Sequence, residues 1–267
     1  MYQKERMEKI LSILRMHGYV TVRYLTEELR YSTATVNRDL NMLEQMGEIV
    51  RSYGGVELKS PQTVPVLFRY EQEKLSKKRI AKRAADAVED GDTIFMDGST
   101  TVQYMSEYIL EKKKITVLTN NTALSSFLSE YGIDVIVLGG RIMEPPYMLA
   151  GPDTVEAASH YKADKCFFST AFATHDGEMA YTGDIFFNLH KTMLRNSKKS
   201  FYLVDQKKVD RAGAKVVLGD LSLVDCVISD YHFPTETTTR FPKTEFIRIP
   251  HSSPCKAKKQ GESKGNL

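Results

Sequence analysis

The sequence is poor in cysteine, has no tryptophan, carries almost no excess of either charge and contains no long apolar run. Of its 267 residues only Cys166, Cys226 and Cys255 are cysteines, with no C-x-x-C pair. That leaves neither a disulfide framework nor a cysteine zinc site and implies a reducing, cytoplasmic compartment. No stretch of 18 apolar residues occurs, and the charged N-terminus (MYQKERMEKI) has no apolar h-region, so neither a membrane span nor a signal peptide is expected. Thirty-seven Lys/Arg against 34 Asp/Glu leave a formal charge of +3, too little to argue for nucleic acid from composition. The spacings G-x-x-x-x-G-K-S/T, G-x-G-x-x-G and H-E-x-x-H are also missing, so no cofactor, metal or nucleotide chemistry is expected.

What remains is an ordinary globular composition, 42% hydrophobic and 27% charged, in a chain longer than the roughly 250 residues at which single cores stop growing. Two domains are expected. Met7, Ile10, Leu11 and Leu14 fall at i, i+3, i+4 and i+7, the stripe of an amphipathic helix, with Gly18 as its stop. Val22, Leu25 and Leu29 repeat the spacing behind Thr21 as N-cap, up to Tyr31-Ser32. A third helix is predicted over about 33–46, capped by Ser32 or Thr33 and stopped by Gly47; Val36, Leu40 and Leu43 face inward and Thr35, Asn37, Arg38 and Asn41 outward. Residues 49–58 read as two brief strands around Ser52-Tyr53-Gly54-Gly55, a wing that closes a first domain of residues 1–58.

Residues 59–73, with Pro61 and Pro65, read as a linker. Over residues 74–250, helical stretches alternate with short apolar runs at 93–96, 115–118, 135–138, 165–168, 201–204, 226–228 and 246–249. This is the pattern of an α/β domain with a mostly parallel sheet covered by helices. Residues 251–267 are polar and aperiodic, and disorder is expected there. They hold four lysines and one glutamate, a net of +3 that equals the charge of the whole chain.

Two helices with a tight turn, then a polar-faced helix and a wing, make an arrangement whose last helix enters the DNA major groove. Helical units of this spacing also serve as dimerisation or docking modules. Here Arg6, Leu25-Thr26-Glu27-Glu28-Leu29, Ser32-x-x-Thr35-Val36-x-Arg38-Asp39-Leu40-x-x-Leu43-Glu44-x-x-Gly47 and Arg51-x-Tyr53-Gly54-Gly55 resemble the DeoR family of bacterial transcription regulators. The resemblance implies a winged helix-turn-helix whose third helix reads double-stranded operator DNA, with the protein acting as a homo-oligomer, a dimer or higher. The DNA-binding candidates are Ser32, Thr33, Thr35, Asn37, Arg38, Asn41 and Arg51. Arg38 and Arg51 suit phosphates or a guanine edge, Ser32 and Thr35 can donate to phosphate, and Asn37 can address adenine. Asp39 is expected to brace Arg38 or the helix start. Many relatives carry Arg where this chain has Asn37, which implies an altered operator sequence. Residues 1–60 hold nine Lys/Arg and eight Asp/Glu, so attraction to phosphate is local to the recognition face.

In open parallel sheets, ligands sit beyond the carboxyl ends of the strands. Asp97-Gly98-Ser99-Thr100-Thr101 follows the first predicted strand, Thr119-Asn120-Asn121 the second and Gly139-Gly140 the third. Small residues and hydroxyls at a helix start can hold an anion, though such turns are often only N-caps. With Phe68-Arg69, Lys77-x-x-Ile80-Ala81, Gly151-Pro152, Asp205-x-x-Lys208 and Ile228-Ser229-Asp230, they resemble the DeoR-family C-terminal sensor domain, a fold related to ribose-5-phosphate isomerase. That resemblance implies a phosphorylated sugar or related metabolite as effector. Asp97, Gly98, Ser99, Thr100 and Thr101 would hold the phosphate, and Asn120 and Gly140 would line the cleft. Lys208 would supply a cation and Asp205 would orient it or accept from a sugar hydroxyl. Read alone, Lys208 is a solvated lysine in the run Lys207-Lys208; Arg141 and Tyr147 are further candidates. Where many relatives have a glutamate, this chain reads Phe186-Phe187, which suits packing or an interface.

Rival readings are a sugar-phosphate isomerase with a helical appendage and a scaffold without ligand. An isomerase needs a carboxylate base and a positioned acid. Asp97, Asp205 and Asp184 are available, but no paired-carboxylate segment resembles the isomerase's own acidic loop, and His175 reads as a surface residue. The preferred reading is a cytoplasmic bacterial regulator, not an enzyme and without a membrane partner: a repressor of a carbohydrate operon whose effector shifts its DNA-binding arrangement.

Overall fold

The computed structural model describes residues 3–17, 19–46, 48–52, 55–58, 73–144 and 148–250. Gly18, Gly47, the turn at Tyr53-Gly54, most of the expected linker, Tyr147 and the expected disordered segment 251–267 lie outside the described residues.

The N-terminal segment runs α1 (Gln3–His17), β1 (Tyr19–Thr21), α2 (Val22–Leu29), α3 (Thr33–Gln45), β2 (Ile49–Ser52) and β3 (Gly55–Leu58). Thr21 caps α2 by accepting from the Tyr24 amide, and Ser32 caps α3 by accepting from the Thr35 amide. Between them Arg30 takes a left-handed conformation, φ 56°, which turns the chain sharply enough to leave only Tyr31 before the next cap. Ile10, Leu14, Leu25, Val36, Leu40, Leu43, Ile49 and Val56 are fully buried in one core, as the period of 3.6 requires. β1 was not predicted. Its three residues pair antiparallel with β3, giving the order β1-β3-β2. The Tyr19 ring occupies the space a side chain at Gly55 would need, 2.1 Å from an added Cβ.

The larger segment begins with α4 (Lys74–Ala85) and contains β4 (Thr93–Met96), α5 (Thr100–Gln103), β5 (Thr116–Thr119), α6 (Thr122–Glu130), β6 (Asp134–Val137), β7 (Arg141–Glu144), β8 (Met148–Ala150) and α7 (Pro152–Ser159). It continues with β9 (Ala163–Phe168), β10 (Phe172–Ala173), β11 (Glu178–Tyr181), α8 (Phe187–Arg195), β12 (Ser197–Val204), β13 (Val216–Asp220), β14 (Cys226–Ser229), α9 (Thr235–Arg240) and β15 (Glu245–Arg248). The seven predicted apolar runs become the seven strands of one sheet, order β15-β14-β12-β9-β4-β5-β6, with every pairing parallel.

Successive residues of each strand feed opposite faces, as a pleat demands. Ile94, Met96, Val117, Phe167 and Leu203 pack with α4, α6 and the short 3-10 turn after α5, whereas Phe95, Leu118, Phe168, Tyr202 and Val204 pack with α7, α8 and the small sheet β10-β11-β13. Burial on both faces is why the inner strands read as apolar runs, while the edge strands β6 and β15 are exposed or half-buried. The hairpin β7-β8 and the sheet β10-β11-β13 escaped the sequence pattern.

Candidate functional site

Helix α3 presents two different surfaces. Ser32, Thr33, Arg38 and Asn41 are exposed, and Thr35 and Asn37 are half-buried. Ser32 and Thr35 share a hydroxyl contact of 2.9 Å at the helix start. Arg38 has no side-chain partner among the described residues. Its neighbour Asp39 corrects an expectation. It does not brace Arg38 but lies fully buried on the inner stripe beside Leu40, where Arg6 of α1 meets both carboxylate oxygens at 2.6 and 2.9 Å and Gln3 donates at 3.1 Å. The Arg6 guanidinium also stacks over Tyr31, 4.9 Å from the ring centre.

Arg51, a DNA-binding candidate, is engaged within its own domain. From β2 it donates through Nη2 to Asn37 Oδ1 (2.9 Å) and to the Asn37 backbone oxygen (3.2 Å), while its Nε lies 3.9 Å from Glu44 and is buried without a hydrogen bond. The wing is thereby fastened to α3.

In the larger segment, the carboxyl ends of four adjacent strands, β12, β9, β4 and β5, bring together Asp205, Ser169, Asp97 and Asn120. Asp97 is 2% exposed. Its Oδ1 accepts from the Ser99 amide (3.0 Å) and hydroxyl (2.6 Å); its Oδ2 accepts from the Ser169 amide (3.1 Å) and faces His190 Nε2 at 3.1 Å. A carboxylate only accepts, so the ring proton is assigned to Nε2. His190 Nδ1 then meets the Tyr181 hydroxyl at 2.5 Å. Lys208 Nζ donates to Ser169 Oγ at 2.7 Å, and that hydroxyl donates to the Leu203 carbonyl at 2.5 Å. Lys208 is therefore half-buried and engaged rather than a solvated lysine like its exposed neighbour Lys207.

Three buried side-chain oxygens here have no hydrogen-bond partner: Thr101 Oγ1, Asn120 Oδ1 and Asp205 Oδ2. Buried polar atoms are ordinarily satisfied, so such groups just beyond the strand ends mark a place for a ligand. Asn120 Nδ2 is used, donating to the Leu149 carbonyl at 2.8 Å.

The other candidates have structural partners. Ser99 is the N-cap of α5, which is a single turn. Met148 lies against Gly98, 2.7 Å from an added Cβ, so that glycine makes room for a methionine rather than opening space for an anion. Thr100 is buried. Gly140, exposed with φ +122°, sits 2.1 Å (added Cβ) from the Thr154 hydroxyl that donates to Gly139. Arg141 is exposed on β7. Asp184 does not join Asp97; it lines a separate groove of about 920 Å³ with Val155, Ile185, Lys191 and Arg195. Phe186 packs on His190, ring centres 6.4 Å apart.

Ser169, His190 and Tyr181 were missed. Ser169-Thr170 directly follows a predicted strand, so the strand-end rule applied alike to every run would have found it. Nothing local marks His190, since its partners come from β4 and β11. Burial raises the pKa values of Tyr181, Tyr202 and Cys166 above their ordinary values, leaving the phenols protonated and Cys166 an unreactive core thiol. His175, an exposed residue as expected, pairs with Asp210 at 3.0 Å, and that hydrogen bond raises the imidazole pKa above 6.5.

Comparison with known proteins places both segments. A family profile described as DeoR-like helix-turn-helix domain matches residues 6–62, and one described as DeoR C terminal sensor domain matches residues 72–231. The chain is 32% identical over 217 residues to the lactose phosphotransferase system repressor of Lactococcus lactis subsp. lactis, covering 79% of this chain and 85% of that one. It is 30% identical over 234 residues to the HTH-type transcriptional repressor GlcR of Bacillus subtilis (strain 168), covering 86% and 89%. Among solved structures, ribose 5 phosphate isomerase A from Neisseria gonorrhoeae aligns at 19% identity over 50% of this chain and 52% of that chain, with a TM-score of 0.36.

Proposed function

Because the chain belongs to the DeoR family of transcription regulators, we propose that it is a bacterial repressor of a carbohydrate operon, released from its operator when a phosphorylated sugar or related metabolite occupies the cleft beyond β12, β9, β4 and β5. The observation that carries the effector half is the trio of buried, unpartnered oxygens on Thr101, Asn120 and Asp205, with the amine of Lys208 held at Ser169 after the adjacent strand β9. A phosphorylated polyol matches that chemistry. Its hydroxyls donate to Asp205 and Asn120, and its phosphate draws Lys208 from Ser169. The names of the relatives, a lactose phosphotransferase system repressor and GlcR, support carbohydrate control.

In the DNA half, Arg38, Asn41, Ser32 and Thr33 stand exposed on α3, available to phosphates and base edges. A homo-oligomer places two such helices on one operator and doubles the contacts. An isomerase base is disfavoured at Asp97, because both its oxygens are already held by Ser99, Ser169 and His190.

A thermal-shift screen over sugar phosphates tests the effector reading. A raised Tm with one of them, reduced in Asp205→Ala, is expected. No shift with any at millimolar concentration contradicts it, and turnover of ribose 5-phosphate would favour an enzyme instead.

A further inference from the structure

A side-chain amide has one end that accepts and one that donates, and which end points where is fixed by its partners. For Asn37 on α3 the deciding partner is Arg51 of the wing. A guanidinium carries donors only, so the atom it meets at 2.9 Å is the carbonyl oxygen Oδ1. The same Nη2 holds the Asn37 backbone oxygen at 3.2 Å, so residue 37 is gripped at two points. Arg51 is itself anchored in β2, paired with Val56 of β3, and Glu44 lies 3.9 Å from its Nε. The amide is thus locked with its oxygen toward the wing and its NH2 at the free end.

We propose that Asn37, oriented by Arg51, reads a guanine in the major groove as a donor, and that Arg51 is a positioning residue rather than a DNA ligand. The inference rests on the reading of α3 as the recognition helix. Asparagine recognises adenine by offering its oxygen to the N6 amino group and its nitrogen to N7. Here the oxygen is engaged, and two N–H donors remain. Guanine presents two acceptors side by side, N7 and O6; adenine sets an amino donor beside N7, which opposes a donor group. Oδ1 keeps a second lone pair, so a preference for adenine is the direct competitor.

Selection from a randomised duplex pool, using the full chain, tests this. Asn37→Ala identifies the base pair concerned as the position where preference disappears. In the wild type that position is guanine, and replacing it with adenine, or with 7-deazaguanine to remove the N7 acceptor, lowers affinity roughly tenfold. Arg51→Ala frees the amide, so adenine becomes as acceptable as guanine there while other positions keep their preferences. Asn37→Asp retains the contact to Arg51 but presents only acceptors. It shifts the preference to cytosine, whose N4 amino group donates, and this arm holds even where Arg51→Ala fails to fold.

Adenine selected by the wild type overturns the proposal, as does an unchanged base preference in Asn37→Asp. So does an Arg51→Ala variant that loses affinity for every duplex alike with a shallower salt dependence, the signature of a phosphate contact. If Arg38→Ala also leaves the selected sequence and the affinity unchanged, the reading of α3 falls and the proposal with it.

Discussion

Arg38 and Asp39 are adjacent on α3 yet serve opposite ends. Asp39 is buried against Arg6 and Arg38 stands exposed. Removing the cation from a buried carboxylate leaves an uncompensated charge in the core, so Arg6→Ala lowers Tm, whereas Arg38→Ala leaves Tm unchanged and abolishes operator retention in a mobility-shift assay. A second residue-scale test concerns pH. The hydrogen bond that the His175 ring donates to Asp210 raises the His175 pKa above 6.5, so the folded state favours the protonated ring. The small stabilisation of this exposed pair is complete below pH 6.5 and disappears as pH rises through the folded-state value. In an NMR titration His175 is expected to titrate above 6.5 and to fall back toward it in Asp210→Asn. At this scale the helical period announced that Arg38 and Asn41 face outward, but not that Asp39 is buried or that Thr35 and Asn37 are half-buried. It did not announce partners: Arg6 and Asp39 lie 33 residues apart, and no local pattern links them.

Elements were legible where an apolar run was long enough to stand out. The five inner strands of the main sheet bury residues on both faces and so appear as apolar runs, whereas the edge strands β6 and β15 are exposed or half-buried throughout; the strand order places the residues after β12, β9, β4 and β5 side by side. Strands β8 and β10 have only three and two residues, and β7 and β13 carry polar or exposed residues, among them Arg141, Ile142 and Val217. They left no periodic trace, although the hairpin fixes the cleft: Leu149 exchanges hydrogen bonds with Asn120, and Met148 covers Gly98.

Gly140 belongs to this framework. An alanine there meets both a left-handed φ of +122° and the Thr154 hydroxyl at 2.1 Å, whereas Gly132, at φ +77°, has nothing within 4 Å of an added Cβ. Gly132→Ala therefore carries backbone strain alone, on the order of 1–2 kcal/mol. Gly140→Ala destabilises further by the clash, which thermal unfolding of the two variants resolves. In the N-terminal core, Leu40 is fully buried, and Leu40→Ala costs roughly 2–5 kcal/mol, measured by urea unfolding.

For the whole molecule, the two segments must communicate for an effector to act. A ligand shifts DNA affinity only by its difference in affinity between the two arrangements, typically a factor of about 5 to 150. Asp97 is joined to Lys208 through Ser169 and to Tyr181 through His190, so a ligand that takes Lys208 from Ser169 alters a connected network rather than one side chain. The family of the chain was legible from its motifs. The identity of the effector was not, because it depends on which hydroxyls meet Asp205 and Asn120.

The most direct test measures operator affinity with and without the sugar phosphate that raises Tm, in the wild type and in Asp205→Ala. Weaker DNA binding in the wild type, by a factor within that range, and no change in the variant is the predicted result. Operator affinity that is the same with and without that ligand in the wild type contradicts the account.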